Sequence, residues 1–579
     1  MSRRGRRFVA GLAAVAALTV ALPAAASAHA YLVKTVPAAS GVLNSPPKTV
    51  QLTYDEAVEP RFAIVSVTDA NGKQETTGPV TRSPANPDTL VAPLRPNLPQ
   101  GWYLIYWRAI SVDGHPVQGA FTYAVGPNPG PAPQFPVPSV GGSATSTNLL
   151  IARWAMFLSV MLAFGLFALR MLIARPMVQR VRGTSLRPVS VAFVIASVVG
   201  IVSIPVYLDF ATANDSLRSV FDVGALVPLF RVTAFGRGYT DMLLCFGLFC
   251  VAAWIALWVD RPEQPQRSIA SLVALTGALL AAAAVLIIPG SAGHAGQTSP
   301  RGVSLLMDWL HLVSGSVWIG GLVGLLVLWA TLPAGLRVAG LSVAVPRFSG
   351  IALFAVLTLL ASGTVATILH MPAVNALWDT GYGVAILVKI GLLCGAVALA
   401  AINRTRSKPR IVAGRDEPAV GEAGARLLRR TLSGEAVLVA GAIFAAAVLS
   451  SLAPPPPAFA EQNSAIASVG PGRVVKTVRM DGYELQVLVT PNKAAAPDSF
   501  ALRILRNGQP VRGANVTLTF NHTEMQMPQQ EYQLKETSPG VYARSAPALV
   551  MVGKWALGFQ ITPPAGQSFS ALILDEAEG

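Results

Sequence analysis

The sequence predicts a multi-domain membrane protein: an eight-helix α-helical transmembrane bundle flanked by two extracytoplasmic β-sandwich domains. Three observations predict it. The 579 residues are 52% hydrophobic and only 13% charged, and the mean hydropathy is +0.51, far above that of a soluble chain. Eight apolar runs, at about 149–173, 188–208, 240–259, 268–289, 304–332, 349–370, 382–402 and 433–453, each approach the roughly twenty residues a spanning helix needs. On both sides of that block, strand-sized runs alternate polar with apolar residues between Pro, Gly and Asn turns. The net charge of +15 lies mainly in short loops between apolar runs, where it reports membrane orientation and argues against nucleic acid as a partner. The three cysteines, Cys245, Cys250 and Cys394, fall in apolar spans and offer no CxxC motif, so metal chemistry would rest on His, Met and carboxylates.

Taken in order, residues 1–28 read as a signal peptide: a basic leader, an apolar stretch from Phe8 to Leu22, and the small-x-small site Ala26-Ser27-Ala28. Cleavage after Ala28 would make His29 the first mature residue, whose free α-amino group and imidazole can chelate one metal ion together. Residues 29–126 carry strand patterns at Thr49 to Tyr54, Ala63 to Thr68, Gly101 to Ile110 and Ala120 to Val125, the spacing of a small sandwich. After the third run comes Ser111-Val112-Asp113-Gly114-His115-Pro116, in which Asp113 and His115 sit two apart and would point the same way in extended chain. By itself an Asp-Gly pair is also ordinary turn chemistry.

His29-Ala30-x-Leu32, Pro37-Ala-x-Ser40 and SVDGHPVQGAFTY resemble the periplasmic copper-binding family CopC over about residues 29–126. The resemblance implies a Cu(II) site made by the His29 amine and imidazole, Asp113 and His115, with Glu56 a candidate neighbour of that set. No methionine occurs in residues 29–126, so the Met-rich Cu(I) site of some CopC proteins is expected to be missing; amine, imidazole and carboxylate donors suit the oxidised ion.

Residues 127–147, rich in Pro, Gly and Ser, form a linker to the bundle at 148–453. An exported first domain puts the loops after the first, third, fifth and seventh helices inside, and these carry most of the loop arginines, including Arg404, Arg406, Arg410, Arg426, Arg429 and Arg430. The expected location is therefore the cell membrane, multi-pass and in contact with lipid, with both terminal domains outside. In that orientation His294 lies in the outer loop after the fourth helix, His311 about two turns into the fifth, and His370 at the outer end of the sixth. Met307, Asp308 and His311 share one helical face, and ionisable groups at such depth are expensive and mark function by default.

The stretch from about Val303 to Arg404 resembles the membrane family CopD. The matching pieces are His311-Leu with Trp318-Ile-Gly-Gly-Leu322, Arg347-Phe-Ser, Ser362-Gly363, Tyr382-Gly383, Lys389 and Asn403-Arg404. Gly320 and Gly321 would permit close helix approach. Lys389 is an intramembrane charge that needs a partner or a purpose.

A Pro-rich spacer at 454–472 leads to residues 473–579, which alternate again and carry an Asn507-Gly508 hairpin signal. There Asn521-His522-Thr-Glu524-Met525-Gln-Met527 combines an imidazole with two thioethers, a soft set suited to Cu(I), although methionines also simply pack cores. This domain resembles YtkA or FixH-like modules.

The combined reading is a copper-handling protein and not an enzyme. It would bind Cu(II) outside, with Cu(I) at the membrane and C-terminal sites, and transfer copper to and through the bundle. No G-x-x-x-x-G-K-[ST] loop or CPC motif marks an ATPase. The alternatives are an envelope chaperone that sequesters copper or loads oxidases, with other envelope copper proteins as partners, or a metalloreductase that uses a membrane quinone or a haem, the latter with His311 and His370 as axial ligands.

Overall fold

The computed structural model describes residues 32–578 apart from 39–40, 55–57, 59, 111–115, 130–145, 217–219, 221–233, 265, 297, 453, 456–458, 460–464, 481, 495, 524–529, 547, 551 and 565–567. The chain divides into two compact units, one holding the helices and the other the β-domains.

In the N-terminal β-domain, β1 (Leu32–Val36), β3 (Thr49–Tyr54), β6 (Thr89–Pro93) and β5 (Thr81–Arg82) form one four-stranded sheet in the order β1-β3-β6-β5. The second sheet runs β2 (Val42–Leu43), β8 (Pro116–Val125), β7 (Gly101–Ile110), β4 (Ile64–Asp69). Alternate residues of β3, Val50, Leu52 and Tyr54, are buried against Val65, Val67, Ile105 and Trp107 from the facing sheet, which is the packing that period-two patterning demands. Gly119 lets β8 pass under the Trp107 indole, since a Cβ there would lie 2.8 Å from the ring.

Among the described residues, eight helices are long and apolar enough to cross a membrane. They are α1 (Thr147–Leu169), α2 (Arg187–Ser216), α3 (Ala234–Val259), α4 (Ile269–Ser291), α5 (Arg301–Thr331), α6 (Ala334–His370), α7 (Gly381–Ile402) and α8 (Pro418–Leu449). The chain is thus a multi-pass membrane protein. Helices α1 and α5 are the most enclosed, and they touch through Gly165 and Gly320: a Cβ on Gly320 would stand 2.3 Å from the Gly165 Cα. Gly321 makes equal room for the Phe348 ring of α6, so both glycines do allow the close approach expected of them.

The helix boundaries depart furthest from the hydropathy reading at two places. Helix α6 starts at Ala334 rather than about 349, running through Pro346, and α8 starts at Pro418 rather than about 433. Arg337, Arg347, Arg426, Arg429 and Arg430 therefore lie on helices and not in loops. The hydropathy window sees only the apolar slab, whereas the helices continue beyond it. There Arg337 and Arg429 each lie over the Trp329 ring at 4.6 Å, and Arg170 and Arg175 share the buried Asp260 at 3.1 and 2.9 Å.

The C-terminal domain is one continuous strand path, β10 (Val474–Met480), β11 (Tyr483–Thr490), β12 (Asp498–Arg506), β16 (Val541–Ala546), β15 (Gln530–Ser538), β14 (Asn515–His522), β17 (Gly553–Thr562), β18 (Phe569–Ala577), β9 (Ala467–Val469), with β13 (Gln509–Pro510) paired to β12. Strand β15 pairs with β14 through Gln530–Leu534 and with β16 through Lys535–Ser538, so the path folds over into a sandwich. Leu485, Leu502 and Ile504 from one half bury against Phe520, Trp555 and Ile573 from the other. Asn507 and Gly508 both have positive φ, 51° and 78°, as the tight hairpin signal in the sequence requires.

Candidate functional site

Three places in the chain were expected to hold metal. In the N-terminal domain, His29, Asp113, His115 and Glu56 lie outside the described residues, but the strands that flank them do not. Leu32, three residues after His29, pairs with Tyr54. The Tyr54 ring meets the Trp107 ring edge-on at 5.6 Å, and Trp107 lies three residues before the end of β7 at Ile110, where the Asp113–His115 segment begins. The start of β1 at Leu32 and the end of β7 at Ile110 thus lie toward the same end of the sandwich. Burial raises the Tyr54 phenol far above its usual range and keeps it neutral.

In the bundle, His311 packs against α6, where Gly363 leaves room for the ring: a Cβ would sit 3.1 Å from its Cε1. Its Nδ1 lies 3.2 Å from the Ser362 hydroxyl. That hydroxyl donates its own proton to the Leu359 carbonyl at 3.2 Å, so it accepts from Nδ1–H. The proton thus sits on Nδ1, and the Nε2 lone pair accepts from the Lys389 ammonium of α7 at 3.2 Å. Asp308, one turn earlier on α5, interacts electrostatically with that same ammonium. Gly290 of α4 provides its space, since a Cβ there would fall 2.5 Å from the carboxylate. The contact partner of Lys389 is therefore the imidazole, with the Asp308 carboxylate acting on it through its charge.

His370 is held separately. Its Nδ1 donates to the Ala366 carbonyl at 2.7 Å, and its Nε2 accepts from Thr298 at 3.1 Å. It lies eight residues along α6 from Ser362, about 12 Å at the rise of a helix, so the imidazoles of His311 and His370 dock at different levels. His294 begins the short 3-10 turn His294–Gly296, and its side chain is outside the described set. Among the described residues no group of three or more His, Cys, Asp or Glu side chains is placed to hold one metal ion.

Two features escaped the sequence reading. One turn past His311, a Cβ on Gly315 would meet the Met161 methyl of α1 at 2.8 Å, which places a buried thioether beside that turn of α5. Deeper still, Glu435 of α8 is 2% exposed and accepts from Trp318 Nε1 at 2.8 Å and from Asn403 Nδ2 at 3.0 Å. Thr431 bonds Asn403 in turn. The signal for Glu435 was present as a lone carboxylate in an apolar run, but Met161 had none, because a methionine in a spanning helix is ordinary.

In the C-terminal domain His522 ends β14, is buried, and stands edge-on to Trp555, its register partner on β17, at 4.9 Å. Met525 and Met527, in the β14–β15 connection, lie outside the described residues.

Comparison with known proteins follows the same divisions. Residues 32–126 match the CopC domain, 342–449 match Copper resistance protein D, and 477–559 match the YtkA-like family. Over 545 residues, 93% of this chain and 94% of the relative, the sequence is 27% identical to the Copper transport protein CutJ of Bacillus subtilis (strain 168). The Copper resistance protein C of Escherichia coli is 31% identical over 118 residues, 19% of this chain and 90% of that one. Protein YobA of Escherichia coli (strain K12) is 33% identical over 98 residues, 17% of this chain and 79% of that one. Among solved structures, CopC from Methylosinus trichosporium OB3b is 30% identical, with 17% of this chain and 96% of that chain covered and a TM-score of 0.16. With three family matches along one polypeptide, in the order the strand and helix patterns dictate, the chain belongs to the CopC–CopD fusion proteins and carries a YtkA-like domain at its C-terminal end.

Proposed function

We propose that this protein binds Cu(II) through His29, Asp113 and His115 outside the membrane and passes copper to the bundle. His311 would receive it, and His294 and His370 would serve the approach. The observation that carries the reading is the His311 pair: its Nδ1 is engaged by Ser362, and its one metal-binding lone pair faces the Lys389 ammonium. An imidazole so arranged accepts a metal ion when Lys389 swings away toward Asp308. The Met161 thioether one turn deeper is a soft donor for reduced copper, and inward movement follows the line of α5. His522 with Met525 and Met527 would hold Cu(I) in the C-terminal domain. The likeness to copper transport and copper resistance proteins supports copper as the cargo. The leader peptide and the arginine distribution support both termini outside, and the inward direction rests on the family resemblance alone.

Cells expressing the wild type or His311→Ala at equal membrane levels, given radiolabelled copper, test the reading. Uptake is expected to fall at least tenfold in the variant. Equal uptake would remove the bundle from the route and leave an envelope chaperone.

A further inference from the structure

The C-terminal sandwich contains a second polar cluster, remote in sequence from the His522 motif. Asp498 opens β12, Asp575 lies on β18, and Asn492 sits in the turn between β11 and β12 with a left-handed backbone, φ 64°. All three are sealed off, at 0%, 1% and 0% exposure. Asn492 joins them: its backbone N–H donates to Asp498 Oδ1 at 2.7 Å, and its side-chain Nδ2 donates to Asp575 Oδ1 at 2.9 Å. The Nδ2 also reaches the Gly472 carbonyl at 2.9 Å, so acceptors surround that atom and the amide orientation is fixed.

What remains is one oxygen on each residue. Asp498 Oδ2, Asp575 Oδ2 and Asn492 Oδ1 are all buried and all lack a hydrogen-bond partner. An orphaned buried acceptor costs about 1–3 kcal/mol and a buried carboxylate more, so three together demand an explanation. All three are acceptors, and none of the described ion pairs brings a lysine or arginine to either carboxylate. Burial moves both carboxyl groups upward, Asp498 to about 7 and Asp575 to about 6, the direction expected when two negative groups are enclosed without a counter-charge. Gly470 holds the space open on one side, because a Cβ there would lie 3.0 Å from Asp575 Oδ1.

We propose that Asp498, Asp575 and Asn492 bind a hard divalent cation of the Ca2+ class, which fastens β12 and the turn before it to the last strand, β18. Two carboxylates and an amide oxygen form an all-oxygen donor set, which suits Ca2+ and not the soft cargo proposed for His522. The two sites in this domain are thereby separated by donor chemistry, and this proposal stands whether or not the protein moves copper.

The full-length protein, purified in detergent and stripped with chelator, is dialysed against 45Ca2+ at pH 7.5. One Ca2+ per chain is expected for wild type, with a melting temperature raised by several degrees over the chelated protein. The bound Ca2+ is expected to be lost in D498N/D575N, which keeps the shape of both side chains. Wild type that binds no Ca2+ at millimolar concentration and melts identically with and without it would overturn the proposal, as would binding that the double variant retains. The wild-type titration decides the matter even if the double variant fails to fold.

Discussion

At the scale of single residues, Lys389 changes meaning between sequence and structure. In the sequence it is an isolated charge in an apolar run, and only its cost is legible. The partners Asp308 and His311 lie on another helix, and no spacing rule connects residues about eighty positions apart. The same holds for Ser362, which reads as half of a small-residue pair and proves to fix the tautomer of the imidazole. If the Lys389 ammonium and copper compete for one lone pair, Lys389→Met is expected to bind copper about tenfold more tightly, since about 1.4 kcal/mol of competition disappears, while uptake slows because release is impaired. Copper retained after dialysis and the initial uptake rate, measured on the same variant, check this. A variant that loses both, as His311→Ala should, would make Lys389 a structural partner of Asp308.

Among elements, existence was far more legible than extent. All eight spanning helices were readable, because apolar runs of that length have few other homes. The strands Thr49–Tyr54 and Gly101–Ile110 were readable to the residue, because each apolar-rich run is bounded by turn residues on both sides. The 334–348 and 418–432 segments were not, since arginine-rich helix resembles arginine-rich loop until Trp329 is seen to receive a cation from each, Arg337 and Arg429. Helix pairing was half legible: Gly320 announced a close contact, but its partner Gly165 is identified only by the 2.3 Å approach. Gly320→Leu should therefore part α1 from α5 and lower the apparent melting temperature by roughly 5 °C, as over-packing of 1–3 kcal/mol would. Fluorescence-detected size exclusion after heating gives the measurement, and an unchanged midpoint would show that the two helices separate freely.

For the whole molecule, the order of parts was legible from composition alone, while the metal sites were legible only as donors without distances. The proposed N-terminal site is the extreme case, because its amine ligand would exist only after a leader is removed. Inserting one alanine between Ala28 and His29 should weaken Cu(II) binding by the mature chain at least tenfold, since the α-amino group then belongs to another residue. For wild type, affinity should fall as pH drops from about 8 toward 6.5, where the amine and the imidazole retain their protons. Competition titration against a coloured chelator reads both effects, and an unaffected insertion variant would reassign the capture site. One consequence of the imidazole–ammonium contact concerns electrical work. A tethered positive charge that swings from the receiving nitrogen toward Asp308 stays inside the bundle, so a monovalent traveller arriving there adds a full charge to it. Loading that position should then respond to membrane voltage through the traveller's own charge, offset only by the short countermove of a four-carbon arm.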